Sequence, residues 1–378
     1  MEPRLIGLIG CGNISDAYLR GAARSKLVRV KSVADIRADV AKAKAGEHSV
    51  QAVPVDTLLA DPDIEIVVNL TVPVAHAPVS QQIIDAGKHV YVEKPLATRF
   101  AEAKPVALAA ALRNLRIGCA PDTFLGAGHQ ACRYAIDAGL IGVPVAGAAT
   151  MLSHGMEHWH PNPAFFYQYG GGPIHDLAPY YITQLVNLLG PVSRVTAQVS
   201  TPSRTRTITS EPLAGHTIDV QVPTTVNGVL LFANGANVAI SHSWDVWKHK
   251  RLPFEIYGSE GSLLVPDPNF FGGEPQIAQR DGDWTSLDIT AHPFGIWNRV
   301  TRTGGQVADY RIVGLLDMAA AIGAGRAHRA SGDLALHVLE VLDAFERSSV
   351  EARHIVIETP CNRPEKLPLG TSEEVFLA

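Results

Sequence analysis

Residues 5–15 read "LIGLIGCGNIS", and this stretch decides the fold. An apolar, strand-like run leads into Gly10 and Gly12, with the small Ser15 three positions on; residues 14–24 suit a helix. A glycine turn between strand and helix is the arrangement that cradles a pyrophosphate. The first glycine permits the tight turn, and the second lets backbone approach the anion. The third small residue lets helix and strand pack, while the helix N-terminus attracts negative charge. Gly10 and Gly12, with their neighbours Asn13 and Ile14, are the candidate phosphate-binding residues.

The surrounding sequence repeats the alternation. "VRVKSVAD" is a second strand and "IEIVVNLTV" has the continuous apolar character of a buried parallel strand. "VSQQIIDAG" is helical and stops at Gly87, and "KHVYVEKP" is another strand halted by Pro95. Alternating units of this kind predict a doubly wound parallel sheet over residues 1–122, a Rossmann dinucleotide-binding domain. Beyond it the strands lengthen and alternate in polarity. "VNGVLLFANGANVAISHSW" is a hairpin turning at Asn234-Gly235, and "FEIYGSEGSLLV" repeats the habit. Residues 123–378 are therefore expected to form an α+β domain, an open-faced, mostly antiparallel sheet with helices on one side. One of those helices covers 333–348, where leucines recur at helical spacing. The tail after Pro360 reads as loosely attached.

Bulk properties narrow the function. The chain has 378 residues, 46% hydrophobic and 18% charged, with a net charge of −5. That length suits two cores, and the mild acidity gives no electrostatic reason to expect nucleic acid or an anionic membrane as partner. Cys11, Cys119, Cys132 and Cys361 are scattered, which disfavours a disulfide framework or metal knuckles and fits a reducing cytoplasm. The N-terminal residues lack a secretory h-region, and no apolar run approaches the roughly eighteen residues of a membrane span. The expected protein is soluble and cytoplasmic.

Asp35 ends the second strand, where a carboxylate can accept from a ribose 2′-hydroxyl. It favours NAD over NADP because it would repel a 2′-phosphate, although Arg37 is placed to offset that repulsion. Thr71 and Pro73 sit at the carboxyl end of a parallel strand, the edge where ligands bind in such sheets, with His76 just beyond. Glu93 and Lys94 end the next strand the same way, and an amine there can reach both a nicotinamide and a substrate oxygen. Further on, "GGGPIHDLAPYY" (170–181) places Asp176 and Tyr180 at a spacing that shares one helical face.

The glycine loop, the strand-end Asp35, T-x-P-x-x-H (71–76), A-G-K-H-V-x-x-E-K-P (86–95) and G-G-G-x-x-x-D (170–176) stand in one order. That order resembles the Gfo/Idh/MocA oxidoreductase family, and the likeness runs from about residue 5 to about 357. It implies hydride transfer between NAD(P) and a carbinol carbon of a sugar or polyol, with Lys94 near the reacting oxygen. It also implies a homodimer or homotetramer built through the second sheet. Many members read D-x-G-x-H where this chain has Asp176, Ala178 and Tyr180. Tyrosine there resembles the branch containing glucose–fructose oxidoreductase, xylose dehydrogenases and dimeric dihydrodiol dehydrogenases.

The roles implied are Tyr180 as proton acceptor, Lys94 as the ligand of the substrate oxygen and Asp176 as the group that orients substrate or lysine. Tyrosine's ordinary pKa of about 10 makes a neighbouring ammonium useful, since it favours the phenolate. Upstream, "SHGMEHWHPNPAFFY" (153–167) offers His154, Trp159 and His160 as sugar contacts, with Trp159 stacking on a ring. Zinc on His154, Glu157, His158 and His160 is the discounted alternative, and no metal is expected. His337 on an apolar helix reads as a core residue. Two other functions fit the same residues: an enzyme that retains and recycles its NAD during epimerisation or glycoside cleavage, and a non-catalytic nucleotide- or sugar-binding relative.

Overall fold

The computed structural model describes residues 2–301 and 304–377. Its first half is a parallel sheet of β1 (Arg4–Ile9), β2 (Val28–Ala34), β3 (Gln51–Ala52), β4 (Ile66–Asn69), β5 (His89–Val92) and β6 (Ile117–Cys119). The connecting helices are α1 (Ser15–Ala23), α2 (Ala38–His48), α3 (Val55–Ala60), α4 (Pro73–Asp85) and α5 (Phe100–Leu112). Strand order is β3-β2-β1-β4-β5-β6, so the winding reverses between β1 and β4. The crevice at that reversal, outside the carboxyl ends of the strands, is where such sheets bind ligands. Every residue of β4 is buried, as its apolar run requires.

After α6 (Ala127–Asp137) and β7 (Pro144–Leu152) come α7 (Gly172–Asp176), α8 (Ala178–Leu189) and β8 (Val192–Ser200). A two-stranded ribbon, β9 (Thr205–Thr207) with β10 (Thr217–Asp219), precedes β11 (Thr225–Phe232) and β12 (Asn237–Ser243). Next are β13 (Phe254–Gly258), β14 (Gly261–Leu264), β15 (Gln276–Gln279) and β16 (Thr285–Ser286). A second ribbon, β17 (Arg299–Val300) with β18 (Gln306–Val307), is followed by α9 (Val313–Ala324), α10 (Gly332–Glu351) and β19 (Ile355–Val356). The nine-stranded sheet has the order β16-β15-β14-β13-β7-β12-β11-β8-β19. Its pairs are antiparallel except β7 with β12, which run parallel at its centre. The Asn234-Gly235 turn joins β11 to β12, with Gly235 at φ +91°. Helix α10 covers β8, and it also packs on α5 and α8.

The tail departs from its sequence reading. Arg363 pairs with Asp137, the Tyr134 hydroxyl donates to Leu367 O at 2.7 Å, and Ser25 donates to Phe376 O at 2.8 Å. Phe376 and Leu377 are buried. Isolated anchors spread along an irregular segment leave no periodicity to read.

The chain after the second sheet returns to the edge of the first. Cys119 N donates to Ala330 O at 3.0 Å, and His328 meets Ile117 O. Asp317, fully buried on α9, fixes that return by accepting from Arg326 at 2.7 Å, Arg329 Nη1 at 2.6 Å and Arg329 N at 2.7 Å. Asp317→Ala would leave two guanidinium groups without their acid. The expected loss is about 3–5 kcal/mol of unfolding free energy, read from urea denaturation. A loss within about 0.5 kcal/mol would show that the cluster does not hold the seam.

Candidate active site

At the β1–α1 turn, Gly10 has φ +100°, and a Cβ there would lie 2.5 Å from Leu70 O. Only glycine fits. A Cβ on exposed Gly12 would meet nothing within 4 Å, so protein packing does not demand that glycine. Ser15 is buried and its hydroxyl donates to Gly12 O at 2.6 Å, closing the turn onto α1. Asn13 is exposed and Ile14 half-buried at the same turn. Asp35 accepts from Cys11 N at 2.8 Å and Arg37 N at 2.9 Å, which fixes its carboxylate beside the glycine turn with acceptor capacity left over. Burial and the Asp35 charge push the Cys11 thiol up to about 11. A dinucleotide fits this cradle: open space over Gly12 at a helix N-terminus suits a pyrophosphate, and a fixed carboxylate suits a ribose.

The next two strand ends are tied together. The Thr71 hydroxyl donates to Asn69 at 2.7 Å, and Tyr18 donates to Glu93 at 2.9 Å. Glu93 also accepts from Lys94 N at 3.0 Å. Pro73, at the start of α4, lines a cleft that continues to Lys94. His76, expected to touch the cofactor, is instead 1% exposed, with its ring nitrogens against Pro95 O (2.6 Å) and Thr71 O (3.0 Å). Burial pulls its pKa below the ordinary histidine value, against the pull of the two carbonyls. Its place is behind the two loops, joining them.

Lys94 donates to Asp176 O at 2.6 Å and to Asp176 Oδ1 at 2.8 Å, and its ammonium stands 5.3 Å from the centroid of the Tyr180 ring. Burial works against its charge, but Asp176 and Tyr180 outweigh that and raise its pKa. Lys94 is thus an ammonium and a donor at neutral pH, unsuited to accept a proton. Sequence spacing put Asp176 and Tyr180 on one helix face. The structure brings them together differently, because the helix breaks at Leu177 and Asp176 ends α7 while Tyr180 lies in the first turn of α8. Pro179 in the first turn of α8 has no N–H to extend the earlier helix, which favours a fresh start. Tyr181 points elsewhere, with its ring against His242 and Phe254.

The cleft has a volume of about 230 Å³, and its walls include Pro73, Lys94, Phe165, Phe166, Tyr169 and Asp176. Gly170 shapes its floor at φ +81°, where a Cβ would strike Thr98 at 2.5 Å. Tyr180 is not among the lining residues; 7% exposed, it lies against Lys94. His154, Trp159 and His160, expected as sugar contacts, do not line the cleft either. His154 stacks on Trp247 at 3.3 Å, and His160 meets Phe165 and Phe166 edge-on, supporting the wall from outside. Trp159 is 40% exposed and touches the edge of His160. Glu157 is buried and engaged by Arg206 and Tyr167. His337 is a core residue that accepts from Val192 N at 3.0 Å and also meets Thr359 O.

Two features went unread in the sequence. The aromatic wall lies in "AFFYQY" (164–169), immediately before the glycines, and its position beside them was a usable signal. Arg311 carries no motif, yet its largely buried guanidinium, bonded to Asp309 and Asn269, lies within electrostatic range of Tyr180.

Comparison with known proteins agrees with this arrangement. Residues 4–120 match the family model described as oxidoreductase family, NAD-binding Rossmann fold, and residues 129–264 match the GFO/IDH/MocA C-terminal domain. The chain is 29% identical over 263 residues to 1,5-anhydro-D-fructose reductase of Ensifer adhaerens, covering 68% of this chain and 74% of that protein. It is 30% identical over 270 residues to dTDP-3,4-didehydro-2,6-dideoxy-alpha-D-glucose 3-reductase of Streptomyces violaceoruber, covering 69% and 72%. A solved levoglucosan dehydrogenase in complex with NADH superposes with a TM-score of 0.81 at 24% identity, over 95% of this chain and 100% of that one. With both halves matched, and with the glycine turn, Asp35 and the Lys94–Asp176 pair in place, the chain belongs to the Gfo/Idh/MocA family of oxidoreductases with an NAD-binding Rossmann domain.

Proposed function

We propose that this enzyme moves a hydride between the nicotinamide of NAD(P) and a carbinol or keto carbon of a sugar, polyol or sugar derivative. The observation that carries the reading is the Lys94 ammonium, kept charged by Asp176 on the wall of a cleft at the ligand-binding edge of the parallel sheet. Gly10, Gly12, Asn13 and Ile14 hold the pyrophosphate, and Asp35 with Arg37 faces the adenosine ribose. Thr71, Pro73 and Glu93 shape the nicotinamide end, with residues 1–122 forming this half. Bound there, the nucleotide supplies the hydride acceptor.

Lys94 donates to the substrate oxygen and Asp176 keeps that ammonium aimed. Tyr180 takes the hydroxyl proton. Phe165, Phe166 and Tyr169 offer flat apolar surfaces to the C–H face of a ring, as pocket aromatics do. Among the described residues no helix is long and apolar enough to cross a membrane, and we place the enzyme in the cytoplasm. Val145, Val229 and Tyr257 are exposed on the second sheet, and a homodimer or homotetramer through that face would cover them.

The test begins with the nucleotide. NADH should bind at least tenfold more tightly than NADPH in a fluorescence titration, because Asp35 sits where a 2′-phosphate would fall. Asp35→Ser should erase most of that preference, leaving Arg37 to favour the phosphate. Binding of neither nucleotide would defeat the whole reading. A panel of free sugars and polyols with the preferred nucleotide then identifies the substrate class.

A further inference from the structure

One wall of the cleft carries a polar side chain that the roles above leave unused. His175 lines the cleft beside Asp176, within the short helix α7 that follows the glycines. Its side chain is 3% exposed, and Nε2 is buried without a hydrogen-bond partner among the described residues. Buried imidazoles ordinarily have their nitrogens bonded, as those of His76 are, because water no longer serves them. His242 shares the lack of a partner, but it is wholly buried against Tyr181 and does not line the cleft. His175 is the unpaired ring that a ligand can reach.

The surroundings hold that ring in place. A Cβ on Gly172 would lie 2.8 Å from Pro223 O, so the start of α7 is pressed against the chain leading into β11. Beside the imidazole stands Asp343 of α10, its Oδ1 3.9 Å from His175 Nε2 and likewise buried without a hydrogen bond. Asp343 is itself anchored, since Oδ2 accepts from Phe100 N at 2.8 Å at the start of α5. At 3.9 Å the carboxylate acts through its charge and not through a hydrogen bond. It favours the tautomer with hydrogen on Nε2, which leaves Nδ1 as an acceptor. Arg99 stands 3.8 Å from the same oxygen but makes its short contact with Glu346, at 3.0 Å. Its guanidinium also lies 5.1 Å from the centroid of the Tyr169 ring. One cluster therefore backs both the polar and the aromatic side of the cleft.

We propose that His175 is a specificity-determining residue whose Nδ1 accepts from a hydroxyl of the sugar or polyol, at a carbon other than the one that exchanges hydride. Consecutive residues on a helix project about 100° apart, so His175 meets the substrate from another side than Asp176, which is committed to Lys94. The substrate class this selects is a polyhydroxylated ring. Its C–H face lies on Phe165, Phe166 and Tyr169, and an edge hydroxyl meets the imidazole. This role rests on the sugar or polyol reaction proposed above and adds the group that recognises a hydroxyl the reaction does not consume.

The test takes the best substrate from the panel of sugars and polyols and compares it with each of its monodeoxy analogues, using the full chain and the preferred nucleotide. Apart from the analogue lacking the reacting hydroxyl, wild type should lose about 10–100-fold in kcat/KM on one other, because the imidazole nitrogen is then left unpaired in a buried site. His175→Leu should lose a similar factor on the parent sugar, mostly in KM, and should no longer separate that analogue from the parent by more than about threefold. His175→Asn, whose amide oxygen can take the place of Nδ1, should restore part of the discrimination. Asp343→Asn should weaken it at the same hydroxyl, and it carries the test if neither His175 variant folds. Equal losses on the parent and on every analogue would make His175 a packing residue and overturn the proposal. An unchanged profile in the variants that fold would do the same. If wild type turns over no member of the panel, the proposed function fails and this role falls with it, whereas an active wild type with an unmoved profile in the variants defeats this role alone.

Discussion

Lys94→Met is expected to lower kcat by about 10³-fold, within the range for removing one preorganised donor to a developing oxyanion. The side chain is nearly isosteric, so the loss reports charge and donor capacity rather than volume. Lys94 holds its proton because Asp176 and Tyr180 outweigh burial, so the wild-type group is a cation throughout the neutral range. Removing it also strands Asp176, whose carboxylate is 20% exposed and accepts from Lys94. Unfolding free energy should fall by about 2–4 kcal/mol, somewhat below the cost for a fully buried pair. Lys94→Arg separates the two effects. It restores a positive charge beside Asp176 and with it part of the stability. It should not restore turnover, because a planar fork cannot replace a compact ammonium that donates to Asp176 and to substrate. Steady-state rates and urea denaturation together read both quantities. Wild-type kcat in Lys94→Met would remove lysine from the reaction.

The parts of this molecule legible from sequence are those set by local chemistry. Buried parallel strands must be apolar along their length, and a pyrophosphate turn must have glycine at Gly10 because Leu70 O lies where a side chain would begin. Lys94 was visible for a related reason: it stands two residues past the end of β5 and precedes Pro95, so its position relative to the sheet edge was fixed by a few residues of context. What depended on distant chain segments was not legible. Arg311 comes within electrostatic range of Tyr180 across a separation of more than one hundred residues, beside a backbone kink at Ile312 that Asp122 holds. His76 was read as a cofactor residue, and its ring is enclosed by two carbonyls, one from each loop. No spacing rule distinguishes that histidine from one facing a ligand. The helix break at Leu177 belongs to the same class, although Pro179 marked it. The aromatic wall differs, since Phe165 and Phe166 were in view while His154 and His160 drew attention for their polarity and Trp159 for its ring.

Tyr180→Phe should reduce kcat and kcat/KM together by about 10²–10⁴-fold, the usual contribution of a positioned general acid or base. Equal losses in the two parameters are expected because the phenol oxygen matters where the proton moves and not in ground-state binding. Nucleotide affinity should stay within about threefold of wild type, since Gly10 and Asp35 are held by Leu70, Cys11 and Arg37 without help from this side chain. Stability should also hold. The ring remains to pack beside Lys94, and Arg311 keeps Asp309 and Asn269 as partners when the hydroxyl is gone. The variant therefore removes one oxygen from the ring beside Lys94 and leaves the scaffold that placed it. The geometry explains why a phenol suits this position. An imidazolium here would stand against the Lys94 ammonium and the Arg311 guanidinium, whereas a phenol that loses its proton becomes their counter-ion. A Tyr180→His variant should therefore fail to recover activity. Undiminished turnover in Tyr180→Phe would transfer the proton to Asp176, the carboxylate on the cleft wall.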